Sequence, residues 1–598
     1  MQYINYRNLR FLLYEMLEAD KLNRLPYYAD YDRSAFDMAL DAAKQIADTH
    51  LFPYYMEMDR KKAVFEDGIV KTHPQLKVLI KAIGEGGWIS AHAPAEYGGM
   101  QMPWSLCHAA LASFYAANVN ACYPFLTQGA ANLILTFGSE RLKEYYLPYL
   151  YSGDWQGTMA LTEPQAGSSL TDIVATAEPT DTEGVYKIKG QKIFISGGDH
   201  DAVDNVVHLT LARIKGAPVG TKGISLFVIP KYRPNGADLV SNDVTCAGIY
   251  GKMGQKGYVA AHLMFGEKDD CEGYLVGAEH RGLNYMFQMM NEARIGTGLV
   301  AAAAASAAYY ASLKYCNERP QGRHPSNKDP HSPPVLIIEH ADVKRMLLFQ
   351  KAITEGSLAL LAQCSYLADL AEHGITEEER HNSHLLLELL TPIAKSYPSE
   401  MGIEAVSTAI QTFGGAGYCD DFPVEQIYRD IRVNAIYEGT TTIHGMDLLG
   451  RKVVLENGKA MQLLGNEIVN TVTQAIKQQR LGVYAQKLGE TTQRLQSLTM
   501  DILKHGKENG AEKMLADATL YLEYFGIVTV AWIWLKQAVI ADTALTNGAA
   551  GDEAIFYESK LRANQYFFEY ELPKTRSLHV QLANMEKMTV GLTKEYLV

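Results

Sequence analysis

The sequence predicts an α+β fold in which helices are followed by a compact β segment, by further helices, and by an appended helical region. Apolar residues recur at spacings of three and four through residues 1–155 and again from about 281, the period of helices with one buried face. From about 156 to 280 the texture changes to short alternating or β-branched runs separated by Gly and polar turns, as strands require. With 598 residues, 47% hydrophobic and 21% charged, the chain is large enough for three or four domain-sized cores.

Taken in order, the first region (1–155) contains FDMALDAAKQIADTHLFPYY (36–55) and LCHAALASFYAAN (106–118), broken by the turn-rich HAPAEYGGMQMP (92–103). Its first residues turn acidic early and carry no long apolar run, so they are expected as helix and not as a signal peptide. The β region (156–280) is read from VYKIKGQKIFIS (185–196), NVVHLTLARI (205–214), GISLFVIPKY (223–232) and VAAHLMFG (259–266). Helical periodicity over 281–455 is interrupted by RPQGRHPSNKDPHSPPV (319–335), whose five prolines forbid a regular helix. The last region (456–598) reads as helices, among them AEKMLADATLYLEYFGIVTVAWIWLKQAV (511–539).

Several function classes drop out. The balance of 55 Lys+Arg against 68 Asp+Glu, with no basic run, argues against nucleic-acid binding, because neutralising phosphates needs a basic footprint. Seven scattered cysteines without a CxxC pair predict neither a disulfide framework nor a zinc cage and fit a reducing cytoplasm. The most apolar windows, 298–313 and 525–535, fall short of the roughly 20 residues that span a bilayer, so membrane contact is expected to be peripheral at most. P-loop, HExxH and GxSxG motifs are absent. GTGLVA (296–301) follows a helical segment, where small residues serve a helix crossing better than a dinucleotide. His381 and His384, in HNSH, are expected in a solvated polar turn, and no metal site is predicted.

Three segments rise above this background. MALTEPQAGSSLTDI (159–173) ends an apolar run in a turn of small residues whose N–H groups could approach a ligand; a plain connecting loop is the alternative. NEARIGTGL (291–299) places an acid and a base before a tightly packed helix, and on its own reads as a helix-start ion arrangement. In QTFGGAGYCDDFPVEQIYRDIRVNAIYEGTTTIHGMDLLGRKV (411–453), Glu438 precedes a Gly within an apolar stretch. Desolvation there would raise its proton affinity, as a general base requires, while an N-capping acid is the alternative.

The order MALTEPQAGSSLTD, KIFISGG, NEAR, NERPQGR, QTFGGAGY and IYEGTT resembles the acyl-CoA dehydrogenase family across residues 50–455, and the added C-terminal helices are similar to its larger bacterial branch. The resemblance implies an N-terminal helical domain, a middle β-barrel-like domain, a C-terminal four-helix bundle and an appended helical domain. It also implies FAD as cofactor, an acyl-CoA substrate, an electron-transferring flavoprotein as partner, and at least a homodimer.

By motif position, Leu161 and Thr162 would meet the flavin ring edge, Gly167 and Ser168 the pyrophosphate side, with Ser168 also toward substrate. Phe194 would pack on the ring, Ser196 would lie near its reactive nitrogen, and Thr440 matches another flavin contact. Arg319, Gln321, Gln411 and Gly415 would reach the ADP half of an FAD bound mainly by the neighbouring subunit. Glu438 matches the base, Tyr437 an aromatic at the thioester, and Arg294 a CoA-side residue. The implied reaction removes an α-proton and a β-hydride to give a trans-2-enoyl-CoA, with the enolate-like oxygen held by the Glu438 N–H and a ribityl hydroxyl.

Some relatives carry their base immediately before the Arg of NEAR. Here that position is Ala293, and Glu292 is rotated about 100° away around a helix, so Glu438 is preferred. Ser169 stands where an Asp is frequent, and the insertion 322–335 lengthens the link after Arg319. An acyl-CoA oxidase and a catalytically silent acyl-CoA or flavin binding protein are the competing readings; retention of IYEGTT argues against the silent one.

Overall fold

A computed structural model describes residues 2–236 and 238–598, with side chains for all of these except 288–290. The chain forms two compact units, Asp37–Pro103 with Ser113–Ala293, and Met1–Phe36 with Trp104–Ala112 and Arg294–Val598.

In the first unit, Val185–Ser196 pairs antiparallel with Glu272–Leu275, which pairs with Ile224–Pro230, which pairs with Asn205–Ile214. Asn205–Ile214 runs parallel to Thr176–Pro179, which returns to Val185–Ser196 and closes a ring of strands. This closure is the expected barrel-like middle domain. Closure leaves few free edges, and ISLFVIP is buried at every position, as a continuous apolar run predicts for a strand covered on both faces. Val244–Ile249 and Ala260–Phe265 extend the sheet from the far half of Val185–Ser196. On the other side, Trp155–Ala160 lies parallel to Asn205–Ile214 and under the helix Leu126–Phe137. There a Cβ on Gly157 would come within 2.7 Å of the Ala130 methyl, so this close helix–strand approach requires glycine. The surrounding helices include Gln75–Glu85, whose Leu76, Leu79, Ile80 and Ile83 repeat at helical spacing and are buried.

The second unit is built on long helices. Gly282–Glu318, from Arg294 onward, packs with Ala341–His373 and Glu377–Phe413. The GTGLVA segment serves the crossing expected of it, since a Cβ on Gly298 would lie 2.0 Å from the Ala394 carbonyl oxygen. NEAR, however, sits more than two turns inside Gly282–Glu318 and not at a helix start, because the helix begins earlier, at Gly282. The HNSH segment likewise lies within Glu377–Phe413 and not in a turn: Thr376 caps the helix by accepting from the Glu379 N–H, which moves the start ahead of the charged run. No group of three or more potential metal ligands occurs among the described residues.

Another long helix of this unit, Ala518–Thr546, comes from the appended region. Ala518–Thr546 has the length and composition to cross a membrane, yet 89% of its most apolar window is buried inside the protein. The Trp534 indole donates to the Ala352 carbonyl at 2.9 Å and the Trp532 indole to Thr471 Oγ1 at 3.0 Å, so both large rings satisfy their N–H within the core. After Glu318, the proline-rich loop is pinned at its neck by Gln321 N–H to Val335 O and Val335 N–H to Gly322 O. Arg323 ties its far side to the Pro330 and Ser332 carbonyls.

Candidate functional site

In the first unit, the LTEPQAG loop is anchored to the KIFIS strand. The Ile193 N–H donates to Thr162 O at 2.9 Å, and Lys192 Nζ donates to Leu161 O at 2.9 Å and to Glu163 Oε1 at 2.8 Å. Lys192 and Glu163 are almost fully buried. Glu163 also accepts from the Val174 and Ala175 N–H groups, at 2.7 and 3.1 Å. Burial pulls the Lys192 ammonium down to about 8, against the opposing pull of Glu163. Burial alone would raise the Glu163 carboxyl, but Lys192 and the two N–H groups outweigh it and hold it below its usual range.

This anchored platform presents Phe194, whose side chain is 56% exposed on a backbone with φ +59 and whose ring lies 4.3 Å from that of Tyr250. Leu161, Thr162 and Ser196 keep partial exposure, and Gly167 and Ser168 are exposed. Ser169 donates to Asp172 Oδ2 at 2.8 Å. Glu292 accepts from the Asn132 side chain at 3.0 Å.

In the second unit, Glu438 follows the short turn Arg432–Ala435 and precedes helix Thr441–Gly450. It is not the helix cap: Thr440 is, and its hydroxyl makes no cap bond. Glu438 has φ +55 and Gly439 φ +90, two successive left-handed residues. For Glu this conformation costs about 1–3 kcal/mol and persists only where surroundings enforce it. Lys395 Nζ donates to Gly439 O at 2.8 Å, and His444 Nε2 to Glu438 O at 3.0 Å.

Burial raises the proton affinity of Glu438, and the charges of Arg294 and Lys395 oppose it. Burial also pulls Lys395 down to about 8 and His444 to about 3, so the imidazole is neutral, with its hydrogen on Nε2 facing a carbonyl. Arg294 is buried beside Asp447, 3.6 Å away, and the Tyr437 hydroxyl bonds with Thr297. The structure thus brings Arg294, Tyr437, Glu438 and Thr440 together. Arg319, Gln321, Gln411 and Gly415 are exposed in the same unit, with open space around Gly414 and Gly415.

The motif reading gives no role to Glu163, Lys192 and His444, although all three lie inside quoted segments, and does not reach Lys395. The available signal was a lone Lys or His inside an apolar run, as in TPIAKSY and TTIHGM.

Glu438 is thus a half-buried carboxylate of raised proton affinity, on a left-handed backbone and beside two cations. Protein-family models of the acyl-CoA dehydrogenase N-terminal, middle and C-terminal domains match residues 34–154, 158–267 and 280–453, and an acetyl-CoA dehydrogenase C-terminal-like model matches 465–593. The chain belongs to the acyl-CoA dehydrogenase family of FAD-dependent oxidoreductases.

Among its relatives, it is 34% identical to 3-methylmercaptopropionyl-CoA dehydrogenase of Ruegeria pomeroyi over 97% of each chain. It is 31% identical to a broad-specificity linear acyl-CoA dehydrogenase of Mycobacterium tuberculosis over 95% of each chain. The structure of Caenorhabditis elegans ACDH-11 in complex with C11-CoA, 20% identical, matches with a TM-score of 0.75 over 95% of this chain and 91% of that one, a likeness of fold.

Taken unit by unit, the residues present are of kinds a flavin can use: in the first, Phe194 presents an exposed ring on an anchored strand end and the Gly167 backbone is uncovered; in the second, the 414–415 backbone is uncovered and Arg319 is an exposed cation.

Proposed function

We propose that the chain catalyses FAD-dependent α,β-dehydrogenation of an acyl-CoA thioester to the trans-2-enoyl-CoA, with Glu438 as the base and an electron-transferring flavoprotein as acceptor. The observation carrying this reading is the Glu438 carboxylate, made more basic by desolvation and standing beside the opposing charges of Arg294 and Lys395. A carboxylate at its ordinary affinity is too weak a base for a thioester α-proton, and one raised without limit would be protonated before substrate arrived. Desolvation raises the proton affinity of Glu438, and the charges of Arg294 and Lys395 act in the opposite sense.

Glu438 takes the α-proton onto a carboxylate oxygen as the α-C–H bond breaks, and its own N–H would hydrogen-bond the thioester oxygen as charge develops there. The flavin, when bound, supplies the acceptor for the hydride leaving the β-carbon. Leu161, Thr162, Phe194 and Ser196 would contact its ring, while Arg319 and Gln411 would hold the ADP half of a neighbouring subunit's FAD, which makes the working form at least a homodimer. The substrate is an acyl-CoA, with linear acyl-CoAs and 3-methylmercaptopropionyl-CoA the first to try, since relatives bear those names.

Anaerobic bleaching of the flavin by C4 to C18 acyl-CoAs and the methylthio analogue tests the reaction. Glu438→Gln should retain FAD and ligand while losing several orders of magnitude in reduction rate, because the amide accepts no proton. Near-normal reduction by that variant would remove Glu438 from the mechanism.

A further inference from the structure

On the reading of Glu438 as the base, something must keep its carboxylate aimed in a backbone conformation that Glu avoids. Two buried side chains do so from two different helices. Lys395, from Glu377–Phe413, donates to the Gly439 carbonyl, and His444, from the first turn of Thr441–Gly450, donates to the Glu438 carbonyl. The carbonyls belong to consecutive peptides, so the planes on the C-terminal side of both left-handed residues are fixed. A Cβ at position 439 would lie 3.0 Å from His444 Nε2, so the imidazole approaches this closely only because residue 439 is glycine.

We propose that Lys395 and His444 are positioning residues for the base: together they lock the two peptides behind the carboxylate. The charged and titratable groups around Glu438 are few. Arg294 comes from Gly282–Glu318; Lys395, with the exposed Glu400 beyond it, from Glu377–Phe413; His444 and Asp447 from Thr441–Gly450; and Tyr437 precedes it. Asp447 faces Arg294 and Arg451, and His444 is neutral, so Lys395 and Arg294 are the cations acting on the base. Removing the Lys395 charge leaves Glu438 holding its proton to higher pH; removing the neutral imidazole changes geometry without that electrostatic effect.

The FAD-loaded K395M, H444L, H444Q and E438Q variants can be compared with wild type by anaerobic stopped-flow reduction with butyryl-, octanoyl- and palmitoyl-CoA from pH 5 to 9. K395M and H444L should bind FAD as wild type does and reduce it about a hundred-fold more slowly, the scale of a misplacement of about 1 Å. The acid limb of the rate profile should move to higher pH in K395M and stay in place in H444L. H444Q, whose amide N–H can reach the same carbonyl, should recover most of the lost rate.

Wild-type rates with an unmoved acid limb in K395M and H444L would overturn the proposal, as would rate losses without a limb shift in K395M and without rescue by H444Q. If K395M gives no soluble holoenzyme, the H444L and H444Q pair decides. E438Q separates the two levels. Full reduction by E438Q removes the base assignment and this proposal with it, whereas loss in E438Q beside normal K395M and H444L removes only the positioning role.

Discussion

Lys192 shows at the level of one residue why the flavin-side loop holds its shape. Its ammonium sits between the Leu161 carbonyl and the Glu163 carboxylate, all out of water. A buried pair of this kind adds little net stability over an apolar pair of equal volume, but removing one partner strands the other. Lys192→Met leaves Glu163 with only the two N–H groups and Gln165. We expect a loss of about 3–5 kcal/mol in unfolding free energy, together with weaker FAD retention as the Leu161 carbonyl is released. Denaturant titration and flavin content after gel filtration measure the two effects; an unchanged midpoint would show that Glu163 is satisfied without its cation.

Elements differ in how far the sequence exposes them. IYEGTT was legible because its residue order is distinctive, and the long strands were legible from their alternation. Thr176–Pro179 was not, because TAEP has no alternation, and its place is set by its neighbours on both sides. Lys395 was hidden for a related reason: its partner is a backbone carbonyl, which leaves no trace in residue type.

The start of helix Trp104–Asn118 was hidden in the same way. Pro103 precedes it and supplies no cap, and the cap comes instead from Asp369, 265 positions away, on Ala341–His373. Asp369 accepts from the Trp104 and Ser105 N–H groups at 2.6 and 3.0 Å and from the Tyr28 hydroxyl at 3.0 Å. Asp369→Ala should therefore cost about 2–4 kcal/mol, a lost cap plus a stranded buried hydroxyl. Amide exchange should rise first at Trp104 and Ser105, and a uniform increase along the helix would contradict a cap role.

Across the whole molecule, the N-terminal residues and the appended helices meet on one buried cation. Lys560, fully buried in Gly551–Tyr566, donates to Glu355 Oε2 at 2.7 Å, to Gln537 Oε1 at 3.1 Å and to the Asn8 side chain, and lies over the Phe11 ring at 4.9 Å. Lys351 bonds the other Glu355 oxygen. Burial alone would raise the Glu355 carboxyl, but Lys351 and Lys560 prevail and hold it at about 2. Its folded proton affinity is thus below its unfolded one, near 4.5. The pair interaction then stabilises fully above pH about 4.5 and is lost as pH falls toward about 2.

Lys560→Met removes one of the two cations, so the folded carboxyl moves back toward the unfolded value and less stability remains to be lost in acid. The melting temperature of K560M should lie several degrees below wild type at pH 7, and the gap should narrow steadily below pH about 4.5. A gap that stays constant from pH 7 to 3 would mean that Lys560 acts through packing against Phe11 and Trp534 and not through Glu355.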